Sequence, residues 1–180
     1  MKGHITVAHR LWKEVVEPGD LVIDATVGNG HDTLYLAQLL QGKGQLVGYD
    51  IQKEALFETE RRLAALPTKL PKIVTLKLAS HATFAEVNPK LIIYNLGYLP
   101  GGDKSITTRR ESTLSSIEHA LEIATHAISI TCYPGHPEGK HEEEALLTRL
   151  ERLSSSEWRV YRYHLINQPH APSLLWLTTR

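Results

Sequence analysis

Val22-Ile23-Asp24-Ala25-Thr26-Val27-Gly28-Asn29-Gly30-His31-Asp32-Thr33 is the stretch on which the fold turns. A β-branched run over 21–25 enters a polar glycine turn at 26–30, and a helix follows. Thr33, Leu36, Ala37 and Leu40 stand at i, i+3, i+4 and i+7, an amphipathic spacing. A strand that runs through glycines into a helix start lets backbone N–H groups approach a ligand where a side chain would clash. Upstream, residues 6–17 carry Val7, Leu11, Trp12, Val15 and Val16 on one helical stripe, which Pro18-Gly19-Asp20 ends. Downstream, 45–49 reads as a second strand with Asp50 at its end, 52–66 as a helix and 72–78 as a strand. KLIIY at 90–94 is a continuous apolar strand, of the kind buried on both faces of a parallel sheet.

After a glycine-rich loop at 96–107, Leu114, Ile117, Leu121 and Ala124 mark a helix, with Thr108 and Glu111 at capping-box spacing. Residues 127–133 read as a strand. A helix over 142–153 would carry glutamates in its first turn, where the helix dipole favours them. Strands at 157–166 and 173–179 are joined by a turn containing Pro169 and Pro172, which leaves no room for a helix and predicts an antiparallel hairpin. About seven strands result, the first five alternating with helices. The expected fold is α/β: a Rossmann-like, doubly wound, mostly parallel sheet with a C-terminal antiparallel hairpin, its ligand at the carboxyl ends of the strands.

A length of 180 residues predicts one domain, residues 1–180, that needs neither disulfide nor metal to fold. Twenty basic residues balance twenty acidic ones, which argues against a protein that coats nucleic acid through bulk charge; a local basic patch can still hold RNA. A lone cysteine, Cys132, excludes an intramolecular disulfide and a cysteine-rich zinc site. Apolar runs such as Leu91-Ile92-Ile93 fall far short of the roughly 18 residues of a membrane span. MKGHITVAHRLWK has no continuous apolar core and does not read as a signal peptide. A soluble, cytoplasmic protein is expected.

Asp50, at the end of the second strand, is placed to accept hydrogen bonds from both hydroxyls of a ribose. A dinucleotide fingerprint would have a third glycine where Thr33 stands. Asp24 before the glycines would repel a pyrophosphate, yet it suits a cation. These residues favour S-adenosylmethionine, with its sulfonium and ammonium, over NAD, and they set Asp24 and Asp32 near its methionine end. The alternatives are a turn-forming carboxylate for Asp24 and an N-terminal helix acid for Asp32.

Asn95-Leu96-Gly97-Tyr98 follows the buried KLIIY strand on the same edge. An asparagine there can accept from an amine and orient its lone pair, and a tyrosine three residues later can stack on a flat base. This spacing resembles the Asn-Pro-Pro-Tyr motif of amino-directed methyltransferases, with Leu96 and Gly97 in place of the prolines. The alternative is a turn whose Asn and Gly supply unusual backbone angles. Lys104, Arg109 and Arg110 form a basic cluster able to hold phosphates, or are simply solvated. His136, in a third polar loop, could hold substrate or act as a base near neutral pH. A metal set of Cys132, His136 and His141 mixes strand and loop positions without a second cysteine pair, and no metal is expected. His119 and His126 read as surface or packed residues.

DATVGNGHDT, YDIQ, NLGYLPGGDKSITT, GHPEGK and LINQ together resemble the MnmM-type (YtqB-like) bacterial methyltransferases, once labelled rRNA methylases, over nearly the whole chain. NLGYLPGGDK is the most specific part of the likeness. The resemblance implies a class I S-adenosylmethionine-dependent methyltransferase. Its implied reaction methylates the aminomethyl nitrogen of 5-aminomethyl-2-thiouridine at the tRNA wobble position, giving 5-methylaminomethyl-2-thiouridine. It also implies a homodimer. By the same likeness Gly28, Asn29, Gly30 and Asp32 fall at the cofactor's methionine portion, and Asp50 and Gln52 at its ribose and adenine. Ser80 and His81 then flank the adenine, while Asn95 and Tyr98 lie at the methyl-transfer centre. Gly97, Asp103, Lys104, Arg109 and Arg110 are the candidate substrate-facing residues, with His136 or Asp103 as proton acceptor. The chain departs from the family at Ala82, where members can carry an acid, and its amino-terminal region is less typical. Three rivals stay open at this point: another RNA (rRNA) or small-amine N-methyltransferase, a NAD-dependent oxidoreductase, and a non-catalytic S-adenosylmethionine-binding module.

Overall fold

Neighbouring residues of the two central apolar runs face opposite sides of a sheet, and both sides are dry. Val22, Ile23, Leu91, Ile92 and Ile93 have no exposed surface. The computed structural model describes residues 3–67, 69–82, 84–97, 110–168 and 170–180. Its elements run α1 (Gly3–Val15), β1 (Leu21–Asp24), α2 (His31–Leu40), β2 (Gln45–Asp50), α3 (Lys53–Ala64), β3 (Val74–Leu78) and β4 (Leu91–Asn95). They continue with α4 (Arg110–Ile123), β5 (Ala127–Cys132), α5 (Pro137–Leu150), β6 (Trp158–Tyr163) and β7 (Ser173–Thr179).

The strands form one seven-stranded sheet in the order β3-β2-β1-β4-β5-β7-β6. The first five are parallel, and β7 runs antiparallel to both β5 and β6. Leu11, Trp12, Leu36, Leu40 and Leu63 of α1–α3 pack on one face against Val22, Leu46, Leu91, Ile93 and Trp176. Ile117, Ala120, Leu146 and Leu150 of α4 and α5 pack on the other against Ile23, Val47, Ile92, Ile128 and Leu175. Alternation along each strand therefore feeds two separate cores. From β1 the order runs to β2 on one side and to β4 on the other, which makes the carboxyl ends of β1 and β4 the switch point of the sheet, the place where open α/β sheets bind ligands. Asp24, Asp50 and Asn95 all end strands on that edge.

Four local expectations are corrected. No helix separates β3 from β4 among the described residues; the connection is irregular and anchored by buried Phe84, whose ring meets Tyr49 and Tyr94. The start of the 72–78 segment is a single 3-10 turn, Pro71–Ile73, because Pro71 cannot donate to a ladder. Helix α5 begins at Pro137 rather than at 142: proline suits a first helical position, and His136 caps it by accepting from the Gly139 N–H. Glu142 and Glu143 thus stand within the helix, 5% exposed each, rather than in its first turn. Finally, β6 stops at Tyr163, short of the expected 166. The Thr108 cap and the Pro169 turn lie outside the described residues.

Candidate functional site

The glycine turn is tied to the neighbouring strand's end rather than left loose. Gly28 and Gly30 have φ of 53° and 76°, the left-handed region that glycine alone enters freely. Asp50 accepts from the Gly28 N–H and the Gln52 N–H, each at 2.8 Å, one on each carboxylate oxygen. Burial raises its carboxyl above the ordinary range, and those two donors pull it back. A β-carbon on Gly30 would stand 2.5 Å from Thr59 Oγ1, so α3 closes directly against the turn. Thr59 also donates to the Gly28 carbonyl at 3.2 Å. Each Asp50 oxygen keeps a lone pair for a ribose hydroxyl. A glycine turn next to such a carboxylate fits an adenosine-type cofactor.

Asp24 sits beneath this surface. It is 0% exposed; Thr33 Oγ1 donates to it at 2.6 Å and the Thr26 N–H at 3.2 Å. Desolvation lifts its carboxyl to about 7, opposed by Thr33 and helped by the charge of Asp32. Asp24 and Thr33 (also 0% exposed) therefore brace the turn from below, without surface of their own.

Asp32 joins three elements. One oxygen lies 2.7 Å from His9 Nε2 of α1, and the other accepts from Asn95 Nδ2 of β4 at 2.8 Å. The Asn95 N–H donates to Thr26 Oγ1 at 2.6 Å. With its NH2 committed to a carboxylate, Asn95 turns its amide oxygen away from Asp32, as an acceptor. Tyr133, directly after β5, belongs to the same edge: the Asp32 charge adds to the burial that raises its phenol to about 12. A β-carbon on Gly97 would be 3.9 Å from the Tyr133 ring, and His4 of α1 meets that ring edge-on.

Other candidates have narrower geometry. His136 Nδ1 accepts from the Gly139 N–H at 3.1 Å and also lies 3.3 Å from Glu138 Oε2, so its ring is tied to the first turn of α5. Ser80 is exposed, and its hydroxyl accepts from the Ala82 N–H. The His81 ring lies in the core edge-on to Tyr94, and burial lowers its pKa. Asn29 is half-buried in the turn. Tyr98, Asp103, Lys104 and Arg109 lie outside the described residues, and so does the side chain of Arg110, which begins α4. His119 stacks on Phe84. Burial and the charges of Glu143 and Glu142 raise the Cys132 thiol, which stays protonated.

The sequence reading passed over His9, Thr59 and Tyr133. Only His9 carried a signal: a polar residue three before buried Trp12, beside the apolar stripe of α1. Among the described residues no cluster of His, Cys, Asp or Glu could hold a metal ion, and no helix is long and apolar enough to cross a membrane.

Four likenesses bear on this arrangement. A family model described as "Putative rRNA methylase" matches residues 46–179. A chloroplastic tRNA (mnm(5)s(2)U34)-methyltransferase of Arabidopsis thaliana is 36% identical over 187 aligned positions, spanning 97% of this chain and 68% of that protein. A structure described as a "putative rRNA-methylase" from Clostridium thermocellum superposes with a TM-score of 0.94 at 34% identity, covering 100% of this chain and 99% of that one. A Streptococcus mutans protein described as "a putative methyltransferase" in complex with SAH gives 0.87 at 30% identity, over 100% and 99% of the two chains. The sheet order, with its switch point between β1 and β4, and these matches agree, and the chain belongs to the rRNA-methylase family of class I S-adenosylmethionine-dependent methyltransferases.

Proposed function

We propose that this protein transfers a methyl group from S-adenosylmethionine to the aminomethyl nitrogen of 5-aminomethyl-2-thiouridine at the tRNA wobble position, giving 5-methylaminomethyl-2-thiouridine. The observation that carries the reading is Asn95, whose amide oxygen is turned from Asp32 to accept an N–H at the strand edge beside the glycine turn. The Arabidopsis relative's described activity supplies the acceptor, and the SAH-bound relative supplies the cofactor.

Bound S-adenosylmethionine supplies an electrophilic methyl carbon on a sulfonium. Asp50, with Gln52, holds the ribose side, and Ser80 and His81 border the adenine. Gly28, Asn29 and Gly30 admit the methionine portion, with Asp24 and Asp32 supplying negative charge towards its cationic groups. Asn95 accepts one N–H of the neutral amine and aims its lone pair in line with the methyl; alignment of this kind contributes several kcal/mol. Tyr98 stacks on the base, and Gly97, Asp103, Lys104, Arg109 and Arg110 form the RNA side, with Asp103 as proton acceptor. His136, at the start of α5, is the second candidate for substrate contact or proton acceptance. The wobble base is single-stranded and enters without breaking a duplex. The chain acts as one domain, in the cytoplasm, as a homodimer that spreads its RNA contacts over two subunits.

The test uses tRNA whose wobble uridines stop at the aminomethyl stage, incubated with protein and S-adenosylmethionine, digested and weighed as nucleosides. A gain of one methyl on 5-aminomethyl-2-thiouridine is expected, and Asn95→Ala should keep cofactor binding while losing most turnover. No gain with cofactor bound would move the acceptor to another RNA or amine. Unchanged Asn95→Ala turnover would remove Asn95 from the centre.

A further inference from the structure

Helix α1 reaches Asp32 through His9, and that side chain is held on several sides. The His9 ring stacks on Tyr35 at 3.9 Å between centroids and 6° between planes, and it leans on Trp12 at 5.0 Å. The Tyr35 hydroxyl donates to the His9 carbonyl at 3.0 Å, so α2 fixes both ring and backbone. Trp12 is itself 2% exposed in the core. From this clamp Nε2 reaches Asp32 Oδ1 at 2.7 Å, while Asn95 Nδ2 holds Oδ2 at 2.8 Å.

A carboxylate held by one donor can swing about its χ2 bond, which is broad and soft. Donors on both oxygens, from different elements, fix its plane. Asn95 has the same softness, and its one side-chain hydrogen bond among the described residues is to Asp32. The orientation of the Asn95 amide oxygen is thus only as well defined as the Asp32 plane.

We propose that His9 is a positioning residue for methyl transfer: its Nε2–H sets the Asp32 carboxylate, and through it the direction in which Asn95 presents its amide oxygen to the acceptor amine. His9 touches neither amine nor methyl. The proposal rests on the methyl-transfer reading above for its kinetic consequence, but the His9–Asp32–Asn95 linkage itself does not.

Two substitutions separate the donor from the packing. His9→Phe keeps a ring on Tyr35 and removes the donor; His9→Gln removes the ring and returns an N–H near the Nε2 position. The expected result is a kcat for His9→Phe lower by about tenfold or more, the scale of a misaligned reacting pair, with KM for S-adenosylmethionine and melting temperature close to wild type. His9→Gln should restore kcat substantially above His9→Phe. Wild-type kcat in His9→Phe would overturn the proposal. So would parallel losses of kcat and melting temperature that track the missing ring in His9→Gln, since those report packing alone.

The side-chain amide signals of Asn95 in 15N-labelled protein give a readout independent of the acceptor. They should move in His9→Phe and lie nearer their wild-type position in His9→Gln; unchanged signals in His9→Phe would overturn the linkage. If wild-type protein leaves the tRNA unmethylated, the proposed function fails, and the amide signals alone decide whether His9 positions Asn95.

Discussion

Replacing Asp24 by asparagine isolates the cost of a buried charge at the centre of the site. Asp24 has no exposed surface, and its carboxyl stands at about 7 against 3.8 for an ordinary aspartate, chiefly through desolvation. A folded-state pKa raised above the unfolded one means that the native state keeps a proton the unfolded chain has released. Between about pH 4 and 7 the unfolded state therefore binds fewer protons, and this group's contribution to stability falls as pH rises, levelling off above 7. A shift of about three units at 1.36 kcal/mol per unit bounds the loss at roughly 4 kcal/mol.

Asparagine fits the same place without the charge. Its oxygen can accept from the Thr26 N–H, and its NH2 can donate to the Thr33 hydroxyl, whose proton is free to rotate. In urea titrations the stability gained by Asp24→Asn over wild type should be small at pH 4.5 and grow by about 2–4 kcal/mol by pH 8. His81, whose pKa burial lowers, titrates in this window with the opposite sign but is common to both proteins and cancels in the difference. Parallel stability curves across this range would refute the reasoning. S-adenosylmethionine affinity reads the same charge from the ligand's side: it should rise with pH through about 7 in wild type and stay flat in Asp24→Asn.

Two further substitutions test the scaffold. Gly30→Ala places a β-carbon against Thr59 at a backbone φ of 76°. It should cost about 1–3 kcal/mol of stability and weaken S-adenosylmethionine binding in calorimetry; unchanged binding would show that the turn's shape is not needed. Tyr94→Phe removes a buried hydroxyl bonded to Ser116 Oγ at 2.9 Å. It should cost about 1 kcal/mol in urea unfolding and leave cofactor affinity alone, since the lost bond ties β4 to α4 on the face away from α1–α3.

Three aspartates show what the chain reveals before it folds and what it withholds. Asp50 could be read from sequence because its surroundings are local: a strand ends, a helix begins, and the partner turn belongs to the adjacent parallel strand. Asp24 looked like a contact for a cation. Its burial depends on Thr33 folding back from the first turn of α2, which spacing alone does not reveal. Asp32 looked like a helix acid or a cofactor ligand, yet its partners His9 and Asn95 stand 23 and 63 residues away. They meet it only because α1 and α2 share one face of the sheet while β4 lies beside β1. The same logic explains the misplaced start of α5. Pro137 and Gly139 argue for a loop residue by residue, but Pro137 opens the helix and Gly139 leaves room for the Tyr133 carbonyl, so both serve a helix packed against β5. Periodicity reports which side of an element is apolar, whereas a site is made where elements from distant parts of the chain bring polar groups within 3 Å. In this protein that meeting point is Asp32, where a helix whose sequence carried no recognisable motif comes within one carboxylate of Asn95 on β4.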